Sequence, residues 1–428
     1  LICIYALFKI FGYFQARIVN LRLPKGKIVF YSPIDGDYEI YVMHIDGSKM
    51  KKLTHNVSNS AHVVMYGDPS FSPSGNEIVF TSNRQYPQNR EIIYNINRRP
   101  IGEKYSGGGS DVFIMDSEGK YQKPLTYQEL NSAPFFSPDG NNIVFTSHKG
   151  RNLLEEIISV YGANRRLLNT NPGHCKFSPD GNKIFDTFQC DLSVMNIDGS
   201  GRARLTNLLT GEEKKEPRLR KLHIYNFAFS NDAGKIVFVL DEKKGTSLGE
   251  FHNIVRLYTM NVDGSDLKVA HMVYSLSLIY PYSSEYDAKV RFCDIRQLQY
   301  SSDDQAVIFI ADLTYKKGIY LLNLRDGEVK ELTCKKKIWR QILDFSLTPD
   351  GKRIVFVADI YPIGYALRAT IFRDFRAWIN YYLFKKSTPF YDNKYLCIMD
   401  IDGKNYRRIA KLPVGTELGR DFIHWEER

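Results

Sequence analysis

The chain has 428 residues, 43% of them hydrophobic and 25% charged, which excludes an intrinsically disordered chain and allows a large apolar core. Its formal charge of +10, from 58 basic against 48 acidic residues, comes without the aromatic-interleaved basic stretches of a nucleic-acid groove, so no nucleic-acid partner is expected. Six cysteines with no Cys-x-x-Cys spacing exclude a zinc ribbon, and neither a metal nor a cofactor is expected.

Residues 1–20 read as an apolar N-terminal segment and residues 21–428 as one repeat domain. Lys9 is the one charge in residues 1–14, a stretch too short for a spanning helix of about 20 residues. It reads as the remainder of a signal peptide or membrane anchor, the alternative being an apolar strand or helix packed on the domain.

From there the chain repeats. Seven apolar cores follow in order: Ile28-Val29-Phe30, Ile78-Val79-Phe80, Ile143-Val144-Phe145, Ile184-Phe185, Ile236-Val237-Phe238, Val307-Ile308-Phe309 and Ile354-Val355-Phe356. Such runs predict strands buried on both faces. Six are preceded by a turn of the type Ser137-Pro138-Asp139-Gly140, worn to Ser230-Asn231-Asp232-Ala233-Gly234 and Ser301-Ser302-Asp303-Asp304 in two units. Pro presets φ, Asp bonds back to the backbone and Gly accepts positive φ, so each is a hairpin turn. A second hairpin follows each core, as in Ile40-Tyr41-Val42-Met43, Asp46-Gly47 and Leu53-Thr54. Four antiparallel strands per unit, repeated at roughly 40–50 residues, predict an all-β, seven-bladed propeller. The C-terminal Asp421-Phe422-Ile423-His424-Trp425 is expected to supply the missing inner strand of the first blade and close the ring; the competing inner strand is Val19-Asn20-Leu21-Arg22-Leu23. An unclosed ring would expose two sheet edges.

On these residues the unit resembles the TolB-type (PD40, WD40-like) propeller repeat. The match runs through Phe136-Ser137-Pro138-Asp139-Gly140, the Ile-Tyr-Val-Met strand with Asp46-Gly47, and Leu53-Thr54, and spans about residues 25–428. The resemblance implies the propeller fold, while the apolar N-terminal segment, read as a signal or anchor remnant, leads to an expected location in the periplasm or otherwise outside the cytoplasm. The chain departs from TolB itself, which combines six blades with a globular N-terminal domain.

Strand order decides where a site would lie. Turns after the first and third strands of a blade share one face, and here they are all tight. The long insertions, residues 83–110, 207–224, 241–253, 271–292 and 359–394, fall in the gaps that open on the other face. Surface loops on a rigid scaffold carry binding residues; drift alone would also lengthen loops cheaply. The insertion candidates are Tyr86, Arg90, Tyr105, Tyr365, Arg368, Arg373, Trp378 and Tyr382, because Tyr, Trp and Arg dominate binding hot spots. Residues 366–383 read as a short amphipathic helix. Asp68, Asn131, His174, Asp294, Arg296, Asp344 and Asp421 open the inner strands and are expected at the channel mouth, either as ligands for a cation or basic group or as rim residues bonded to neighbouring backbone.

No Gly-x-Ser-x-Gly, His-Glu-x-x-His or P-loop motif occurs. The expected protein is therefore a monomeric, non-catalytic scaffold that binds a protein or glycan through its loop-rich face, with membrane anchoring through residues 1–20. The alternative is a channel-mouth lyase or hydrolase acting on acidic oligosaccharides.

Overall fold

The computed structural model describes residues 25–34, 38–55, 66–84, 89–94, 100–106, 110–127, 129–150, 152–170, 175–188, 191–208, 222–245, 251–273, 277–278, 295–313, 316–333, 339–360, 394–413, 415–418 and 422–426, some of them by backbone alone. They form seven antiparallel blades of four strands, with one further strand on blade 5 and a separate two-stranded hairpin inserted in blade 2. Blade 1 takes its inner strand, Ile423–Trp425, from the C-terminus and its second strand, Gly26–Ser32, from the start of the described chain. Gly26 pairs with Trp425, Lys27 with His424 and Ile28 with Ile423, the closure expected from the sequence. The inner strands of blades 2 to 7 are Tyr66–Phe71, Asn131–Phe136, Cys175–Phe177, Leu222–Phe229, Ile295–Tyr300 and Trp339–Leu347.

The Ile-Val-Phe cores are the second strands, and Ile28, Val29, Phe30, Ile78, Val79 and Phe80 are all fully buried. Alternation explains how both faces are used. Val29 packs with Ile78, Phe80 and Phe113 of blade 2, while Ile28 and Phe30 pack with Val355 and Val357 of blade 7. Each of the seven blade interfaces is filled by its own apolar cluster. Within a blade, the core Phe stacks on an aromatic of the third strand, as in Phe30–Tyr41 at 5.7 Å and Phe80–Phe113 at 5.6 Å.

The turns between first and second strands share one hydrogen-bond plan. In blade 3, Ser137 Oγ accepts the Asn142 N–H (2.9 Å) and donates to Asp139, whose carboxylate accepts the Asn141 N–H (3.0 Å). Ser178/Asp180, Ser230/Asp232, Ser301/Asp303 and Thr348/Asp350 repeat it. The worn turns preserve the backbone without the glycine. Ala233 and Asp304 hold φ of 58° and 55° where the intact turns place Gly, so Gly234 is not the left-handed residue of its turn. Neighbouring turns also touch. Asp304 accepts from both the backbone N–H (2.8 Å) and the side-chain amide (2.7 Å) of Asn231.

The Asp-Gly turns between third and outer strands form a wider ring on the same face. Four of them seat the glycine tightly on the preceding blade, at or just past its outer strand. A methyl group on Gly119 would lie 2.6 Å from the Leu53 carbonyl oxygen, one on Gly264 2.8 Å from that of Leu205, and one on Gly403 2.6 Å from that of Leu332. Gly47 meets Ala410 in the same way across the closing interface.

Gly119→Ala combines a backbone at φ 84° with this carbonyl clash, whereas Gly150, at φ 66°, has open space around it. Chemical denaturation should show Gly150→Ala costing about 1 kcal/mol, the left-handed penalty alone, and Gly119→Ala clearly more; equal losses would remove the seating contact. The turn carboxylates set a pH response. The Ser178, Ser230 and Ser301 hydroxyls, followed by backbone N–H groups, hold Asp180, Asp232 and Asp303 below the ordinary carboxylate range. A folded pKa below the unfolded one stabilises at pH above the unfolded value, about 3.9, and is lost as pH falls through the folded values. The melting temperature should therefore hold near neutral pH and drop as pH falls below about 4; a flat profile in acid would contradict this.

Candidate functional site

The inner strands line the axis, and five of them carry a bulge at the same level. Register shifts fall between Gly67 and Ser70, Ser132 and Phe135, Ile224 and Asn226, Arg296 and Leu298, and Ile342 and Asp344. Asp68, Ala133 and Gln297 sit in these bulges at φ of 48°, 51° and 41°. A bulge bends its strand and re-aims side chains. Here the re-aimed side chains reach the next blade. Asp68 accepts the Ala133 N–H (3.1 Å) of blade 3, and Gln297 both donates to the Phe345 carbonyl (2.7 Å) and accepts its N–H (3.1 Å) in blade 7. From blade 4, Lys176 Nζ donates to the Phe227 carbonyl (2.5 Å) of blade 5, while Trp425 Nε1 donates to Ser346 (3.2 Å).

These strands enclose an axial cavity of about 1260 Å³. Its wall mixes the edges of Phe71, Phe135, Phe177, Phe345, Trp425 and Leu298 with the polar side chains of Asn226, Gln297, Gln299 and Ser346, and carries Lys176, Asp344, His424 and Glu426 as its ionisable groups. Ser72, Pro73, Ser74 and Pro138, which belong to the turns between first and second strands, also line it, so the cavity reaches the plain face. Sequence reasoning points to the opposite face. The cavity escapes it because its wall comes from residues of all seven blades that no local pattern connects.

The expected mouth residues separate. Asp344 lines the cavity, its carboxylate accepting its neighbour Phe345's N–H (2.8 Å). Asp68 holds blade 3, as above, and lies close enough to Tyr31 for its charge to act there. Burial, the hydrogen bond from Tyr31 to Glu417 (2.7 Å) and the Glu417 charge, with a smaller contribution from Asp68, push the Tyr31 phenol well up. Asn131 is buried rather than open to the mouth, its amide donating to Thr126 (3.0 Å). Arg296 is described by its backbone, in register with Ile310. His174, Asp294 and Asp421 lie outside the described residues, as do Tyr86, Tyr365, Arg368, Arg373, Trp378, Tyr382 and the expected helix over 366–383.

The Leu-Thr motif proves to be a lock beneath the insertion face. Thr54 accepts the Ile40 N–H (2.9 Å) and donates to buried Glu39. Thr126 treats Val112 and Asp111 alike, and Thr206 does so with Leu192 and Asp191. Thr333 accepts the Ile319 N–H (3.1 Å), but Gly318 stands where the acid would be. The spacing of an acid 15 residues before the Thr was present in the sequence and was the missed signal.

Two insertions are folded structures. In blade 5 the second and third strands run on as Lys235–Gly245 and Phe251–Asn261, paired without a break from Lys235↔Asn261 to Gly245↔Phe251. A short strand from the gap before blade 6, Ser277–Leu278, pairs with Phe251 and His252. Residues expected as loops therefore continue the blade as a projecting sheet, with Arg256 paired to Glu242 along it. In blade 2 the insertion forms its own hairpin, Asn89–Tyr94 with Pro100–Ser106, in which Arg90 and Tyr105 are register partners.

Among the described residues no group of three or more His, Cys, Asp or Glu side chains is placed to hold a metal. Thr126→Val removes the hydroxyl donor from buried Asp111 and should cost roughly 1–3 kcal/mol, whereas Thr333→Val, with no acid to abandon, should cost less. Urea titration of the two variants checks this, and equal losses would contradict the lock.

No protein-family model matches the chain. A TolB homolog of Chlorobium luteolum is 29% identical over 143 residues, covering 28% of this chain and 31% of the relative. The Tol-Pal system protein TolB of Francisella tularensis subsp. mediasiatica is 28% identical over 135 residues, covering 25% and 31%. The chain thus spans about a third of the length of these curated relatives. Among solved structures, an oligogalacturonate lyase in complex with manganese aligns with 77% of this chain and 82% of its own at 11% identity and a TM-score of 0.49. The seven-bladed ring with its repeated turns, together with these sequence matches, supports a TolB-like β-propeller.

Proposed function

We propose that the protein is a non-catalytic TolB-like propeller that binds a protein partner through its insertion-bearing face, outside the cytoplasm in the cell envelope. The observation that carries this reading is the blade 5 projection. Chain from two separate gaps, the hairpin at Gly245↔Phe251 and the strand Ser277–Leu278, pairs into one sheet standing on that face. Length gained by drift does not need to pair with length gained in another gap. A rim built in this way offers a shaped surface, and exposed backbone at a sheet edge is itself a recognition element for an extended partner segment.

The chemistry of the ring agrees. Ser137, Ser178, Ser230 and Ser301 each stand beside an Asp, a pairing that elsewhere activates a nucleophile. Here each hydroxyl accepts a backbone N–H or spans its own turn, and no histidine base faces it in these bonds. The Francisella relative is by name a Tol-Pal system protein, which supports a protein over a glycan as partner and a location outside the cytoplasm.

The test compares the two faces. Replacing residues 363–391 by a short Gly-Ser linker, and separately substituting Arg368, Trp378 and Tyr382 by Ala, should leave the melting transition in place. Both variants should lose cross-linked protein partners from an envelope extract. Tyr121→Ala with Tyr161→Ala, two exposed aromatics of the plain-face turns, should keep them. Retention by the insertion variants, or retention only of oligosaccharides on a glycan array, would overturn the proposal.

A further inference from the structure

The turns between third and outer strands of blades 1 to 3 lie side by side at the rim of the plain face. Lys51, leaving the blade 1 turn, donates to the carbonyl (3.0 Å) and the carboxylate (2.5 Å) of Glu118 in the blade 2 turn. Gln122 of that turn donates back to the Leu53 carbonyl (3.1 Å) of blade 1. Lys123, leaving the blade 2 turn, stands over the ring of Tyr161 in the blade 3 turn, 5.7 Å from its centre. The three turns form one continuous arc.

Two aromatics on this arc run against the preferences of their own turns. The residue before the turn glycine is acidic in six blades. In Asp46, Asp198 and Asp263 its carboxylate accepts the N–H two residues on, at 2.8, 2.9 and 2.9 Å. Blade 3 carries Tyr161 there, which has no carboxylate to offer. Tyr121 holds φ of 54°, at a left-handed position that Asn164 and Asn405 fill in other turns, and such a backbone suits Asn far better than a bulky side chain. Neither ring is packed: Tyr121 is 84% exposed and Tyr161 82%, with Met50 exposed on the first of the three turns. Turn formation and core packing therefore account for neither aromatic.

The charge of the arc is one-sided. It exposes Lys49, Lys51, Lys120, Lys123 and Arg166 against Asp46 and Glu118, and Lys51 already holds Glu118. The equivalent turns of blades 5 and 6 expose Asp263, Asp266, Asp326 and Glu328 against Lys268, Arg325 and Lys330. Tyrosine rings settle at the headgroup level of a bilayer, and lysines are drawn to anionic headgroups. The two rings project from turn tips instead of lining a groove, which suits a broad headgroup layer better than a polypeptide segment that needs a concave seat.

We propose that the arc of blades 1 to 3 docks the plain face of the ring on an anionic phospholipid surface. The site shares no residue with the insertion face, so the two proposals fail separately. Docking in this way leaves the insertion face turned away from the bilayer.

The test uses the full chain and vesicles of phosphatidylcholine, with or without an equal part of phosphatidylglycerol. Sedimentation should show several-fold tighter binding to the anionic vesicles, weakened as salt is raised. Lys120→Glu with Lys123→Glu should lower that binding several-fold. Lys268→Glu with Arg325→Glu, the same charge change on the acidic side, should leave it in place. Tyr121→Asn with Tyr161→Asn should also lower it several-fold, without lowering the melting temperature, because both turns then carry a residue they favour. A footprint separates this docking from attachment by any other part of the chain. On anionic vesicles, acetylation of Lys120 and Lys123, read by mass spectrometry, should fall several-fold while that of Lys268 holds. Equal effects of the two charge-reversal pairs overturn the proposal, as does unchanged acetylation of Lys120 and Lys123 on vesicle-bound protein. Absence of binding to anionic vesicles overturns it as well. Binding of soluble poly-glutamate in place of vesicles would make the arc a surface for an acidic polypeptide and also overturn it.

Discussion

The ring depends on one recurring contact, the seating of an Asp-Gly turn on the end of the outer strand of the blade before it, tight in four of the seven interfaces. Gly119 on Leu53, Gly264 on Leu205, Gly403 on Leu332 and Gly47 on Ala410 are instances of the same fit, and any side chain at the glycine would strike backbone or a neighbouring methyl. Between these turns and the axis, seven apolar clusters fill seven wedges. A closed ring makes the contacts interdependent, because no blade can shift without opening two interfaces. The last link is formed by the chain's two described ends, Gly26–Ser32 and Ile423–Trp425, so closure depends on contacts made across almost the whole sequence.

This constraint changes what the one-sided insertions mean. The plain-face turns are short because they are packed: Asp304 grips Asn231 and Gly119 presses on Leu53, so added residues would break an interface. The opposite face is where the chain is free to lengthen without that penalty. Position alone is therefore a consequence of packing. Functional weight moves to what the insertions build, and the blade 5 sheet, assembled from two gaps, is a structure that freedom to drift does not require.

Much of this was legible in local sequence, for identifiable reasons. Ser137-Pro138-Asp139-Gly140 encodes a turn whose hydrogen bonds close within six residues, and Ile78-Val79-Phe80 encodes burial on both faces by composition alone. The closing strand was readable because Phe422-Ile423-His424-Trp425 has the pattern of an inner strand with no blade after it. What escaped is set by neighbours. Ala233 adopts the left-handed conformation because the rest of its turn imposes it, against the residue's own preference. The bulges at Asp68, Ala133 and Gln297 answer to the adjacent blade, and Asn131 turns inward because Thr126 is there to receive it. Arg90 and Tyr105 were singled out as loop residues but are partners in a hairpin, since the alternation in 89–106 was not separated from the surrounding insertion.

Many groups that resemble functional machinery are spent on holding the ring together. Serine hydroxyls beside aspartates organise turns, and buried Glu39, Asp111 and Asp191 receive threonine hydroxyls. Asp68, Lys176 and Gln297 bond to the backbone of the next blade along the axis. Polar groups committed in this way are satisfied, and recruiting one for a ligand would leave a backbone partner unpaired in a confined space. A ligand of this ring must therefore draw on groups the interfaces do not consume. Phe71, Phe135, Phe177 and Phe345 on the channel wall are themselves consumed, each nearly buried in the cluster that fills its blade interface. On the insertion-bearing face the blade 5 sheet continues beyond the packed turns, and there too Arg256 and Glu242 are committed to each other.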